Sequence, residues 1–242
     1  EFSVFLTTEQ GLKNASVWLA CMWVKTVVSR AHYNGLIPRN PFAQFRITPN
    51  VKEREYLTEG EIRQLIEHEF SDATLAFTRD LFVFACFTAL SFADIRELTA
   101  DEIMDVNGEK WIISKRHKTG VPFQVKLLDI PLQIIGKYRP FQKDNSVFGE
   151  INYWSICKKL KNVIRECNIN KQISFHCSRH TFGTLALSKG MPIESVSRVL
   201  GHTNIKTTQI YAKITTQKLG NDLTAFGNQL NWTFGNIKVA GI

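Results

Sequence analysis

The densest group of reactive side chains lies between Ser174 and Ile214. It opens with His176-Cys177-Ser178-Arg179-His180, continues with Leu200-Gly201-His202, and closes on Tyr211, nine residues beyond His202. On a helix, His176 and Arg179 stand three apart and share a face. Ile193, Val196, Val199 and Leu200 have helical spacing, and Gly201 suits the left-handed position just past that helix. An imidazole takes or gives a proton near neutral pH. A guanidinium grips anionic oxygens through two parallel bonds. A phenol, with a pKa of about 10, is a nucleophile only once something removes its proton. Each residue alone has an ordinary reading, since a single tyrosine on an amphipathic helix usually packs. The ordered set is what needs explaining.

HxxRH, then LGH, then a tyrosine nine residues later resembles the closing signature of the tyrosine recombinases, the phage-type integrases. The chain most resembles the conjugative-transposon, Bacteroides-like branch, in which the first catalytic arginine is replaced. The resemblance covers nearly the whole chain and implies site-specific DNA recombination by strand cleavage and religation. It implies that Tyr211 attacks and becomes a 3′-phosphotyrosine, and that Arg179 holds the phosphate oxygens. His176 is then the acid/base partner of the tyrosine, His202 a hydrogen-bond donor to the phosphate, and Lys118 the acid for the departing 5′-oxygen. A covalent link retains the energy of the broken bond, so the implied reaction needs no cofactor, neither ATP nor metal. The sequence likewise has no phosphate-binding glycine loop and no carboxylate cluster suited to a metal. His180 reads as a structural histidine beside the site.

One position departs from the pattern. The resemblance places the first arginine after a Thr-Gly-Leu turn, but the stretch here is Thr88-Ala89-Leu90-Ser91-Phe92-Ala93-Asp94-Ile95. Ser91 is neutral and suits a helix N-cap; the glycine is replaced by Ala89. Either the protein binds DNA but cuts it poorly, or another cation fills the gap. Arg116 is the stronger candidate, because it lies two residues before Lys118 and residues two apart on a strand share a face. Arg96, five residues on from Ser91, faces another direction. The bland alternative is that Arg116 and Lys118 merely solvate the end of a hairpin.

These residues need a scaffold, and the periodicity describes one. Thr8 to about His32 reads as one or two helices, with apolar Leu12, Ala15, Leu19, Met22, Trp23 and Val27 in helical register. Asn34-Gly35 and Pro38 to Pro41 mark a loop. Polar residues 48–56 read as a linker, and Thr58 with Glu61 as a capping box. Residues 73–89 form a buried apolar helix with Phe82, Phe84 and Phe87 in the core, and a short helix follows from about Phe92 to Leu98. Asn107-Gly108 signals a tight hairpin between 102–106 and 110–114, and Thr119-Gly120 a second turn before 123–128. From Pro131 the chain is helical again, broken at Pro140, Gly149, Gly190 and Gly201. Leu219, Leu223, Phe226 and Leu230 to Phe234 suggest a last helix. The expected fold is mainly α with a small three-stranded antiparallel sheet (α+β): residues 1–50 the C-terminal part of a helical core DNA-binding domain, 51–57 a linker, and 58–242 the catalytic domain.

Composition sets the partners. Of 242 residues, 30 are Lys or Arg and 22 Asp or Glu, a formal charge of +8 that favours an anionic partner. Five scattered cysteines without a CxxC pair argue against zinc and disulfides and for a reducing compartment. The longest apolar stretch, Leu81 to Ala93, is too short for the roughly 18 residues a membrane span needs. The expectations are a cytoplasmic, nucleoid-associated, bacterial-type protein acting on double-stranded DNA as a homo-oligomer (a synaptic tetramer), with no membrane partner and with accessory DNA-bending proteins. The incomplete look of the first helices predicts an arm-binding domain ahead of Glu1. Three alternatives remain: a catalytically impaired DNA-binding relative, a type IB topoisomerase-like DNA relaxer, and, more weakly, a transcription factor with a basic helical domain.

Overall fold

The structure is a computed structural model that describes residues 1–46, 48, 55–118, 120–138, 144–212 and 216–234. The chain divides into two units, Glu1–Glu53 and Arg54–Ile242. In the first, α1 (Phe2–Thr8) and α2 (Asn14–Tyr33) are separated at Gly11, whose φ of +59° lies in the left-handed region. Thr8 therefore ends one helix rather than starting the long one. The expected apolar face of α2 is also corrected. Leu12, Leu19, Trp23 and Val27 are exposed, whereas Val17 and Cys21 are buried with Leu6, against Ala20 and Phe45. The reason is tertiary: α1 and the Phe45 loop occupy the opposite side of the helix.

The second unit is organised around α4 (Ala73–Thr88). Leu81, Phe82, Val83, Phe84 and Ala85 are consecutive and all buried, so this helix is apolar on every side and runs through the core. Around it pack α3 (Glu59–Glu67), α6 (Asp129–Tyr138), α7 (Tyr153–Glu166) and α8 (Cys177–Ser188). The predicted capping box starts α3: the Glu61 amide donates to Thr58 Oγ1 at 3.3 Å and the Thr58 amide to Glu61 Oε2 at 2.7 Å. Arg79, from α4, donates to the Leu65, Ile66 and His68 carbonyls at 2.6, 2.9 and 3.0 Å, satisfying the last carbonyls of α3. The linker residues 51–54 lie outside the described residues. Leu57 is buried, and its amide donates to Thr181 Oγ1 on α8.

α4 stops at Ala89, which adopts φ +57° although it carries a Cβ. Left-handed backbone is ordinarily glycine's, so the alanine is strained there. Its methyl is fully buried against Leu187, Val196 and Leu200, which offsets the strain. Ser91 then caps α5 (Phe92–Glu97) in a reciprocal box with Asp94.

The sheet is the expected meander, order β1-β2-β3, built from Ile103–Val106, Glu109–Lys115 and Pro122–Lys126. Asn107 and Gly108 both take positive φ (56° and 82°), as the two-residue hairpin turn requires. Past the last regular β2–β3 pair, Lys115↔Pro122, the Arg116 amide donates to Val121 O and the Gly120 amide to Arg116 O, each at 2.8 Å. The second hairpin is thus closed over residues 116–121; Thr119 lies outside the described residues, as does Pro140. After α8 come α9 (Ile193–Leu200), α10 (Lys206–Gln209) and α11 (Thr216–Phe234), and Gly201 takes the anticipated left-handed conformation at φ +66°. Among the described residues no helix is long and apolar enough to cross a membrane.

Candidate active site

Arg116 follows β2 on the side of Ile112 and Ser114, the inward face of the sheet. Its guanidinium is 6% exposed and reaches two elements at once. Nη1 donates to Asp94 Oδ2 on α5 at 2.7 Å, and Nη2 to the Val199 carbonyl on α9 at 2.5 Å. The guanidinium carbon lies 4.0 Å from the centroid of the Phe123 ring, a cation–π contact. Gly201 is needed for space as well as for φ, since a Cβ there would stand 2.9 Å from Arg116 Nε. Two of its five N–H donors are placed in these bonds, and the Nε–H is buried without a hydrogen-bond partner among the described residues.

Asp94 is the counterweight. Its carboxylate accepts from Arg116, from the His117 amide at 3.0 Å, and from the Ser91 amide and hydroxyl at 3.0 and 2.8 Å. Burial raises its pKa, but the His117 amide, the Arg116 charge and the Ser91 amide outweigh that and hold it below the ordinary carboxylate range. Ser91 therefore caps α5 and also steadies the group that orients Arg116. Arg96 is exposed and pairs with Glu97 at 2.8 Å, as a surface residue does.

Arg179 extends from the first turn of α8 between two helix ends. Nη1 donates to the Ala89 carbonyl and Nη2 to the Leu200 carbonyl, each at 2.5 Å. The left-handed turns at Ala89 and Gly201 aim those carbonyls, so backbone geometry fixes the guanidinium. Burial and then the neighbouring Arg116 charge lower its pKa to about 10, which leaves it cationic at neutral pH. His176 stands exposed at the N-cap of α8, its ring 5.1 Å from that of buried His180.

The Tyr211 ring lies across α8. It is 5.2 Å from the His180 ring and 6.5 Å from the His202 ring, nearly parallel to the latter at 17°. Gly183 makes this seat, because a Cβ there would fall 2.7 Å from a Tyr211 ring carbon. Gly183→Ala should push the ring out of place. Any reaction at the Tyr211 hydroxyl is expected to slow about a hundredfold, while the melting temperature holds, since alanine favours the helix it joins. Equal losses of activity and stability would contradict this.

His202 is held from behind: its Nδ1 is 2.8 Å from the Oγ1 of fully buried Thr208. Burial, then the charges of Arg179, Arg116 and His176, bring its pKa down to about 4. The folded ring therefore stays neutral at pH values where an unfolded histidine, with a pKa of about 6.5, is charged. Between the two pKa values the unfolded chain binds the extra proton. His202 thus contributes stability above about pH 6.5 that is lost as pH falls toward 4. A ring titration followed by NMR should show a midpoint near 4; a midpoint near 6.5 would contradict this burial.

The structure thus gathers Tyr211, His202, Arg179, His176 and Arg116 around the ends of α4, α8 and α9. Lys118 differs. It is exposed in the hairpin turn, and among the described residues no hydrogen bond or ion pair joins it to the cluster. The idea that Arg116 and Lys118 share a strand face is corrected, because β2 ends at Lys115 and Lys118 lies in the turn. Sequence reasoning missed Asp94, Gly183 and Thr208. Only Asp94 had a readable signal, three residues after Ser91 as in a capping box.

Residues 55–218 match the model of the phage integrase family. The chain is 31% identical over 127 residues to tyrosine recombinase XerA of Saccharolobus solfataricus, covering 52% of this chain and 43% of that protein. It is 24% identical over 192 residues to a tyrosine recombinase of Thermosipho africanus, covering 76% and 66%. The aligned parts therefore span about half to two thirds of these relatives. Among solved structures, the Tn1549 transposon integrase in complex with a circular intermediate DNA superposes with a TM-score of 0.76 at 17% identity, covering 92% of this chain and 82% of that one. That likeness establishes the shared fold. With the match running from residue 55, ahead of α3, to residue 218, past the tyrosine, the chain belongs to the phage integrase family.

Proposed function

We propose that the chain is a tyrosine site-specific recombinase that cleaves and religates DNA through a 3′-phosphotyrosine. The observation that carries this reading is the convergence of Tyr211, His202, Arg179 and Arg116 on one site of a phage-integrase-family fold. Tyr211 Oη attacks the scissile phosphorus as the P–O5′ bond breaks. Arg179 and Arg116 stabilise charge on the non-bridging oxygens, Arg116 supplying what Ser91 cannot. His176 takes the phenol proton, His202 donates to the phosphate, and Lys118 protonates the departing oxygen. For this last role the hairpin tip must bring Lys118 inward when DNA binds. Phosphodiester energy is conserved in the covalent link, so the residues themselves suffice for the cycle.

The partner in this reading is double-stranded DNA, gripped by residues 1–50 as part of a core-binding domain and by the catalytic unit, with affinity set largely by phosphate contacts. The exposed apolar stripe Leu219, Leu223, Phe226 and Leu230 of α11 supports packing on a neighbouring protomer in a synaptic tetramer. Accessory DNA-bending proteins and a place on the bacterial nucleoid in the cytoplasm complete the proposal. The test is incubation with nicked duplexes carrying candidate sites, followed by denaturing electrophoresis. A covalent protein–DNA band is the expected result. Binding without any band would favour an impaired DNA-binding relative, and relaxation of a plasmid lacking the site would favour a topoisomerase.

A further inference from the structure

Thr208 occupies an unusual position between two reacting groups. Its side-chain oxygen is fully buried and 2.8 Å from His202 Nδ1, while its carbonyl accepts from the Tyr211 amide at 3.0 Å. Its own amide donates to Ile205 O at 2.8 Å, so the residue is fixed within α10. The direction of the Thr208–His202 bond follows from donor accounting. If Nδ1–H donated to Oγ1, the threonine proton would need another acceptor, and among the described residues no carbonyl receives it. If Oγ1–H donates to an unprotonated Nδ1, both groups are satisfied, and the single proton of the neutral ring sits on Nε2.

Resting on the recombinase reading above, we propose that Thr208 is a positioning residue that locks His202 in the Nε2–H tautomer, making it a donor to the scissile phosphate. Because Thr208 and Tyr211 share one short segment, the donor is completed only while the nucleophile of the same chain is docked. The neutrality of His202 gives the lock its purpose. A doubly protonated imidazole donates from both nitrogens and needs no such control, whereas a ring with a pKa of about 4 carries one proton that must be on the correct side. The nearly parallel stacking of the His202 and Tyr211 rings keeps donor and nucleophile together. If α10 withdraws, the hydroxyl leaves with it and the ring is free to change tautomer.

The experiment combines spectra with kinetics on the full chain. Long-range proton–nitrogen correlation spectra, with His202 assigned against His202→Gln, should show a protonated Nε2 and a bare Nδ1. Thr208→Val should yield a mixture of tautomers and slow single-turnover cleavage of a suicide duplex by about ten- to a hundredfold, with DNA affinity unchanged. Thr208→Ser, which keeps the hydroxyl, should restore the tautomer and most of the rate. In a His202→Ala background, Thr208→Val should add less than about twofold. Protonated Nδ1 in the parent chain, or a parental cleavage rate in Thr208→Val, would overturn the proposal. So would a Thr208→Val loss undiminished by His202→Ala, which would mark a merely structural threonine. If Thr208→Val does not fold, the parent tautomer and Thr208→Ser still decide. If the parent chain never forms a covalent adduct, the recombinase reading fails, while the spectra still judge the lock.

Discussion

Arg116→Ala is expected to slow covalent cleavage by about a hundred- to a thousandfold, the size of losing one preorganised donor to a developing negative charge. The variant should also be destabilised. The Asp94 carboxylate would remain buried opposite an empty slot, and breaking a buried pair by removing one partner typically costs about 3–5 kcal/mol. The lower end is expected here, because the His117 amide and the Ser91 amide and hydroxyl still reach Asp94. The two effects separate experimentally. Cleavage is measured well below the melting temperature of the variant, beside DNA affinity and a urea titration. Arg116→Lys retains charge but loses the fork that spans Asp94 and Val199, so intermediate rates are expected. Parental cleavage by a folded Arg116→Ala chain would reduce Arg116 to a structural tie between the hairpin, α5 and α9.

Tyr211→Phe carries the other large effect. The attacking atom disappears while the ring that rests on Gly183 and beside His180 and His202 remains. Covalent adduct should fall by about 10⁴-fold or more, below detection on a denaturing gel. Affinity for the same duplex should change little, because binding rests on phosphate contacts made elsewhere. The sharp outcome is a retained gel shift with no covalent band. A persisting covalent band would mean that a different side chain attacks.

Much of the catalytic unit was legible in its sequence because local signals and tertiary demands agree there. The Asn107-Gly108 turn, the Thr58–Glu61 box and the apolar run of α4 each specify one conformation with little competition. The first unit was less legible. The stripe Leu12, Leu19, Trp23 and Val27 has good helical period, yet the packing of α1 and Phe45 selected Val17 and Cys21. Periodicity reports that a helix has an apolar face, and cannot tell which neighbour arrives first. In the site, the reacting groups lie on motifs of fixed spacing and were identifiable as a set. Their supports were not. Gly183 is 28 residues from the ring it accommodates, and Asp94 is 22 from the guanidinium it holds. Such partnerships exist only in the folded chain. A strand face shared by Arg116 and Lys118 does not exist, because β2 ends at Lys115; the inward direction of Arg116 comes from the strand alternation before it.

The triangle of Ser91, Asp94 and Arg116 also limits how such a site can change by mutation. Ser91 Oγ and Arg116 Nη1 share one oxygen of Asp94, at 2.8 and 2.7 Å. An arginine introduced at 91 would remove the hydroxyl that caps α5 and steadies Asp94, and would add a second cation beside that carboxylate. An alanine at 116 would leave the site one cation short. A charge supplied from α5 and a charge supplied from the hairpin would therefore share one carboxylate. The single substitutions between them pass through either two cations on that carboxylate or too few. Moving the charge from the hairpin to α5 would therefore require the helix cap, its carboxylate and the hairpin residue to change together.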